Sequence, residues 1–227
     1  MRLLALYSGG KDSTLALEKV IRSGHEVVLL VTARPQRADS WMLHSVALDA
    51  VEYQAVAIGL PLIYVEVSGV KEVEVGELRS ALLDLIRAHG VEGIVSGGIS
   101  SRYQFERLKE ISERLDVELI SPNWGMRGED VLSEAVERGY RIMITSVSAH
   151  GLTKEWLGHV ITKDDVRSLV SLSERYGFDV AGEGGDLETL VLDCPIFKMS
   201  LDVQFDRVWL GDRGYVVLKS IRLISKG

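Results

Sequence analysis

Ser8-Gly9-Gly10-Lys11-Asp12-Ser13 packs two glycines, two hydroxyls, an ammonium and a carboxylate into a single turn. Glycine lets the backbone approach an anion closely, hydroxyls and amides donate to it, and the Lys11 ammonium adds a point charge. The set suits a phosphate or pyrophosphate. It follows an apolar run at residues 3–7 and precedes Leu15, Leu17, Val20 and Ile21 at near-helical spacing, so it joins a strand to a helix. A helix N-terminus at the carboxyl end of a strand offers unpaired N–H groups and a positive dipole end to a ligand. The turn is not a Walker A loop, because Ala5 stands where glycine is needed and Asp12 where Ser or Thr must follow the lysine; the Gly-x-Gly-x-x-Gly spacing is also absent. A plain strand–helix turn capped by Asp12 or Ser13 is the alternative reading.

Two further clusters could do chemistry. Ser96-Gly97-Gly98-Ile99-Ser100-Ser101-Arg102-Tyr103-Gln104, with Arg107 one turn on, again follows a strand and opens a helix. Gly97 and Gly98 permit close approach, while Tyr103, Gln104 and Arg107 offer orienting donors; a second capped turn is the alternative. Gly182-Glu183-Gly184-Gly185-Asp186-Leu187-Glu188-Thr189 sets three carboxylates beside three glycines. These could hold Mg²⁺, orient ammonia or act as a base, or they could form a solvated loop.

The elements that must position these clusters alternate. Strands are expected at residues 3–7, 26–32, 62–67, 93–96, 118–121 and 141–146, with helices at 42–58, 73–89, 102–115 and 129–138 between them. Strict alternation with apolar strands implies a parallel sheet with right-handed crossovers. From about residue 149 the pattern changes to a helix at 163–176 and strands at 190–193, 199–210 and 215–223, with a hairpin turn at Gly211-Asp212-Arg213-Gly214. We read a small α+β unit appended to the sheet domain.

Composition excludes several classes. In 227 residues, 33 acidic side chains against 26 basic ones leave a net charge of −7, which argues against a surface built wholly to grip nucleic acid. A single cysteine, Cys194, excludes a disulfide framework or a Cys-rich metal centre within one chain and points to a reducing, cytoplasmic setting. No apolar run reaches the roughly 18 residues of a membrane span, and turn residues from Ser8 cut the N-terminal run too short for a signal peptide. His25 and His159 read as surface or capping residues, and Trp156 and Trp209 as core.

The first turn matches the PP-loop pattern Ser-Gly-Gly-x-Asp-Ser of the N-type ATP pyrophosphatases, in its usual place after the first strand. The order of all the clusters resembles the diphthine–ammonia ligase (diphthamide synthase) family from Ser8 to Phe197. Asp39-Ser40-Trp41-Met42-Leu43-His44, Pro122-Asn123-Trp124 and Leu190-Val191-Leu192-Asp193-Cys194-Pro195-Ile196-Phe197 share in the resemblance. Asp186 departs from the family's usual glutamate. Asn123 replaces a common leucine, a change expected to cost nothing.

The resemblance implies a Rossmann-like parallel sheet flanked by helices, of the adenine nucleotide alpha hydrolase-like PP-loop type, with a smaller C-terminal α+β domain. The expected division is an ATP-binding domain at residues 1–148 and a unit completing the cleft at 149–227. It also implies an ATP-dependent amide ligase that adenylates the diphthine carboxylate on elongation factor 2 and amidates it with free ammonia, giving diphthamide, AMP and pyrophosphate. Ser8, Gly9, Gly10, Lys11, Asp12 and Ser13 would bind the phosphates, Asp12 would place Mg²⁺, and Asp39, Ser40, Met42, His44, Gly97 and Gly98 would line the nucleotide side. Tyr103, Gln104 and Arg107, with Gly184, Gly185 and Thr189, would meet the acyl substrate. Glu183 and Glu188 would steer ammonium and take its proton. A homodimer is compatible with the sequence; a membrane or nucleic-acid partner is not expected. Competing readings are a tRNA-modifying enzyme of thiolation or lysidine type, and a non-catalytic adenine-nucleotide sensor.

Overall fold

A computed structural model describes residues 1–35, 41–70, 73–182 and 184–226, with backbone alone for residues 35 and 41–47. Strands β1 (Arg2–Leu6), β2 (Glu26–Pro35), β3 (Leu62–Val67), β4 (Gly93–Val95) and β5 (Glu118–Ile120) form a parallel sheet in the order β3-β2-β1-β4-β5. Helices α1 (Lys11–Arg22), α2 (Trp41–Ile58), α3 (Val73–His89) and α4 (Arg102–Leu115) make the crossovers, and α5 (Gly128–Glu137) follows β5.

The central strand serves two cores. Leu3 and Ala5 pack with Leu15, Leu17, Ala50 and Val51 of α1 and α2, whereas Leu4 packs with Leu29, Leu82, Ile86 and Ile111 toward α3 and α4. Burial on both faces is why these strands read as unbroken apolar runs. The order also fixes where a ligand can sit. The connection leaving β1 crosses to β2, and the one leaving β4 crosses the opposite way to β5. A crevice opens between those two diverging loops at the carboxyl ends of the strands. Residues 7–10 and 96–101 are those loops.

Polar anchors fix α1 beneath the crevice. The Glu18 carboxylate is fully buried and accepts from Arg22 at 2.5 Å, Arg138 at 3.2 Å and the Tyr140 hydroxyl at 2.6 Å. Lys19 reaches Glu134 at 2.8 Å and the Asn123 side-chain oxygen at 3.1 Å. Lys19 and Arg138 together hold the Glu134 carboxyl below its ordinary range, overcoming the burial that opposes it.

The second sheet corrects one expectation. The strand expected at residues 141–146 does not extend the parallel sheet. As β6 (Arg141–Val147) it pairs antiparallel with β7 (Leu187–Asp193) and β9 (Gly214–Ser225), and β8 (Met199–Trp209) completes the order β7-β6-β9-β8. Every β6 residue after Arg141 is buried, and that pattern is the same whether a covered strand runs parallel or antiparallel. β7 also starts at Leu187 rather than 190, which moves Glu188 and Thr189 from a loop onto a strand. Helix α6 (Lys163–Tyr176) opens on a capping box between Thr162 and Asp165 and stops at Gly177, φ +77°. His159 donates to Asp165 at 2.8 Å and so helps cap it, and Trp156 and Trp209 pack on the core. Among the described residues no helix is long and apolar enough to cross a membrane.

Candidate active site

The first and third clusters meet. A cleft of about 190 Å³ is lined by Ser8, Gly10, Lys11 and Asp12 from the loop after β1, by Thr145 of β6, and by Ala181, Gly182, Leu187, Glu188 and Thr189. Hydrogen bonds from backbone N–H groups stitch the loop to β7. The Val191 N–H donates to the Gly9 carbonyl at 3.0 Å, and the Lys11 N–H donates to the Thr189 hydroxyl at 3.2 Å. Inside the loop, the Ser8 and Ser13 hydroxyls lie 3.1 Å apart, and the Gly10 carbonyl accepts from the Thr14 hydroxyl at 2.8 Å. Gly9 has φ +80°, a conformation that favours glycine.

Lys11 is not a solvated charge. Only 1% of it is exposed, and its ammonium donates to Asp12 at 2.9 Å and to the Ala181 carbonyl. It therefore ties the 179–186 loop to the first turn of α1 while remaining at the wall of the cleft. That loop is shaped by Asp179, which accepts from the Ala181 N–H at 2.9 Å, and by Asp186, which accepts from the Asp179 N–H at 3.4 Å. Gly182 has φ +79°, and a Cβ there would meet the Leu187 carbonyl oxygen at 1.8 Å. Gly185, φ +82°, donates its N–H to the Gly182 carbonyl at 2.9 Å, with Gly184 between them.

The second cluster divides. A Cβ on Gly97 would lie 2.6 Å from the Ser13 nitrogen, so this glycine abuts the start of α1. Gly98 donates to Ser96 Oγ at 3.3 Å. The donors further along do not reach the cleft: none of Tyr103, Gln104 and Arg107 is among its described lining residues. Tyr103 and Gln104 are exposed. Arg107 lies 5.4 Å from the Tyr103 ring centroid and 3.4 Å from Glu110, and it lines a separate groove with Val75, Gly76 and Arg79. Asp39, Ser40 and Glu183 fall outside the described residues, as do the side chains of Met42 and His44.

Three residues matter here that sequence reasoning missed or undervalued. Asn123, expected to be neutral, is fully buried; its amide donates to the Asp12 carbonyl at 3.0 Å and its oxygen accepts from Lys19. Leucine could do neither. Its status as the chain's one asparagine was the available signal. Gln54 of α2 is fully buried and donates to the Gly9 carbonyl at 2.9 Å and the Val191 carbonyl at 2.7 Å. Thr145 sits where the register of β6 against β7 shifts, is 4% exposed, and its hydroxyl has no hydrogen-bond partner among the described residues. Removing a buried unsatisfied hydroxyl while keeping its shape relieves desolvation. Thr145→Val is therefore expected to stabilise the ligand-free protein by about 1 kcal/mol, a rise of about 2–4 °C in melting temperature by calorimetry. A fall of that size would mean the hydroxyl is already satisfied.

Cys194 is 1% exposed, and burial pushes its thiol up to about 12. It stays protonated at neutral pH and is a poor nucleophile. Among the described residues no group of three or more His, Cys, Asp or Glu side chains could hold a metal ion. Mg²⁺ carried on phosphates needs only one or two protein carboxylates, and Asp12 and Glu188 share this cleft, so the residues present fit that ion.

Comparison with known proteins agrees with the residue pattern. Residues 1–119 match the diphthamide synthase N-terminal domain and residues 127–224 the diphthamide synthase C-terminal domain. The diphthine–ammonia ligase of Homo sapiens is 34% identical over 92% of this chain and 85% of its own length, and that of Bos taurus is 34% identical over the same shares. The Mus musculus enzyme is 33% identical over 89% of this chain and 83% of its own. With both halves matched in order and a phosphate-type loop stitched to a carboxylate-bearing strand, the chain belongs to the diphthamide synthase family.

Proposed function

We propose that this protein is an AMP-forming diphthine–ammonia ligase that uses ATP to amidate the diphthine carboxylate on elongation factor 2. One observation carries the reading: the Ser8–Ser13 loop and Glu188 line one cleft. The described part of the cleft, about 190 Å³, would take the phosphate end of the nucleotide. Residues 1–148 would carry the nucleotide, with Asp39, Ser40, Met42, His44, Gly97 and Gly98 on its side, and residues 149–227 would complete the cleft.

Ammonia cannot displace oxide from a carboxylate. In the first step a carboxylate oxygen bonds to the α-phosphorus and the bond to the α–β bridging oxygen breaks. The departing pyrophosphate gathers charge where the loop amides and Lys11 can stabilise it. Mg²⁺ held by Asp12 would neutralise phosphate charge. Tyr103, Gln104 and Arg107 of α4, which lie outside the cleft lining, would meet the acyl substrate away from its reacting end, and the Gly184–Gly185 backbone and Thr189 would meet that reacting end. In the second step ammonia nitrogen bonds to the acyl carbon, the carbon–oxygen bond to AMP breaks, and a proton passes from nitrogen to Glu188 or Glu183. The buried, protonated Cys194 disfavours a thiolation mechanism.

Incubation with ATP, Mg²⁺, ammonium and diphthine-bearing elongation factor should release AMP and pyrophosphate and convert acid to amide by mass spectrometry. ADP as the spent nucleotide would refute the reading. Glu188→Gln keeps shape and removes the base. It should slow amide formation by about 10²-fold or more while ATP affinity changes little. Equal loss of both would remove Glu188 from the second step.

A further inference from the structure

The phosphate-type loop works only if its peptide N–H groups face the cleft, and one peptide in it has its orientation set from outside. We propose that Gln54 is a positioning residue that fixes the Gly9–Gly10 peptide with its carbonyl turned into the protein and its N–H turned toward the anion. This rests on the reading of the cleft as a pyrophosphate site.

Gln54 approaches from α2, and neither it nor any other described α2 residue is in the cleft lining, so it acts on the loop from behind. Its side-chain nitrogen faces two carbonyls, Gly9 at 2.9 Å and Val191 at 2.7 Å, so only the amide end can occupy that place. The Gly9 carbonyl receives a second donor, the Val191 N–H at 3.0 Å. In a trans peptide the C=O and N–H point oppositely, and among the described residues there are no cis bonds. Anchoring the Gly9 oxygen inward therefore aims the Gly10 N–H outward, where among the described residues it meets a long contact of 3.5 Å to Ser8 Oγ, itself a cleft residue. Gly9, at φ +80°, is free to rotate its peptide, and a glycine without this clamp could turn its carbonyl toward the phosphates instead. Gln54 also explains the residue it faces: a Cβ on Gly9 would lie 2.3 Å from Gln54 Oε1.

The test uses inorganic pyrophosphate as the probe, in calorimetric titration and in amide NMR of ¹⁵N-labelled full-length protein. Wild type should bind, with the Gly10 amide resonance moving on saturation. Gln54→Met fills the same space without a donor. It should weaken pyrophosphate binding about 10- to 100-fold, with the Gly10 resonance no longer responding, as expected for one lost amide donor to a charged acceptor. Gln54→Glu, kept protonated by burial, retains one donor and should recover part of the affinity; it also carries the test should the methionine variant not fold. Wild-type affinity and an unchanged Gly10 response in Gln54→Met, or in Gln54→Glu where that is the variant measured, would overturn the proposal. Failure of wild type to bind pyrophosphate would instead overturn the reading of the cleft, and the proposal with it.

Discussion

Lys11→Met is expected to cut ATP-dependent AMP formation by about 10²–10³-fold in a protein that still folds. Methionine approximates the length of the lysine stem, so the space at this 1%-exposed site remains filled. What disappears is the ammonium between Asp12, at 2.9 Å, and the Ala181 carbonyl. Asp12 loses its cation and becomes a negative wall facing an anionic leaving group, while the 179–186 loop loses its tie to α1. Both consequences weaken the same step. The stability cost is that of one unsatisfied carbonyl and a partly exposed carboxylate, about 1–3 kcal/mol, or roughly 2–12 °C in melting temperature. Single-turnover AMP release within threefold of wild type, in a folded variant, would show that Lys11 is only structural.

Gly97→Ala should have a large effect for a methyl-sized change, because the obstacle is backbone. The added carbon would lie 2.6 Å from the Ser13 nitrogen, 2.7 Å from its Cα and 2.8 Å from the Asp12 carbonyl carbon. None of these atoms can swing aside as a side chain would, so β4 and the first turn of α1 must separate. We expect a loss of about 3 kcal/mol, a fall of roughly 6–12 °C in melting temperature, and a proportionate loss of pyrophosphate release. Gly98→Ala is the control. Among the described residues its Cβ would meet Ser96 Oγ at 3.6 Å, an ordinary contact, and should cost less than about 1 kcal/mol. Equal melting temperatures for the two variants would contradict this account of the crevice.

The alternation of the first 120 residues was legible because the inner strands β1, β2 and β4 are largely apolar on both faces and helices such as α1 carry one buried stripe. β6 was misplaced for the same reason. Its run from Ile142 to Val147 is as buried as β1, and periodicity reports covering, not direction or partner. The loop at Ser8–Ser13 could be read from residue types alone, since glycines, hydroxyls and a lysine in one turn have few other uses. Its juxtaposition with Glu188 and Thr189 could not, because that depends on β7 lying beside the loop through a sheet whose pairing is non-local. Asn123 and Gln54 act on backbone carbonyls, which leave no complementary residue type in the sequence to pair with them. Gln54 was masked further by its surroundings. It lies on the face of α2 that also buries Ala50, Val51, Ala55 and Ile58, where a polar residue looks like an accident of a hydrophobic helix. Arg107, by contrast, was assigned from a motif, and its guanidinium lines the groove beside α3, a placement that residue spacing alone does not reveal.

The stitching of the Gly9 carbonyl and the Lys11 amide to Val191 and Thr189 has a bearing on how such a protein can be recombined. A chimera joining the first half of one homologue to the second half of another would transplant the loop without the strand that shapes it. The minimal exchangeable cassette is discontinuous, made of residues 8–13, the Gln54 position and residues 187–191. Inheritance by segments would break this unit, and only coordinated replacement of all three pieces would transfer it whole.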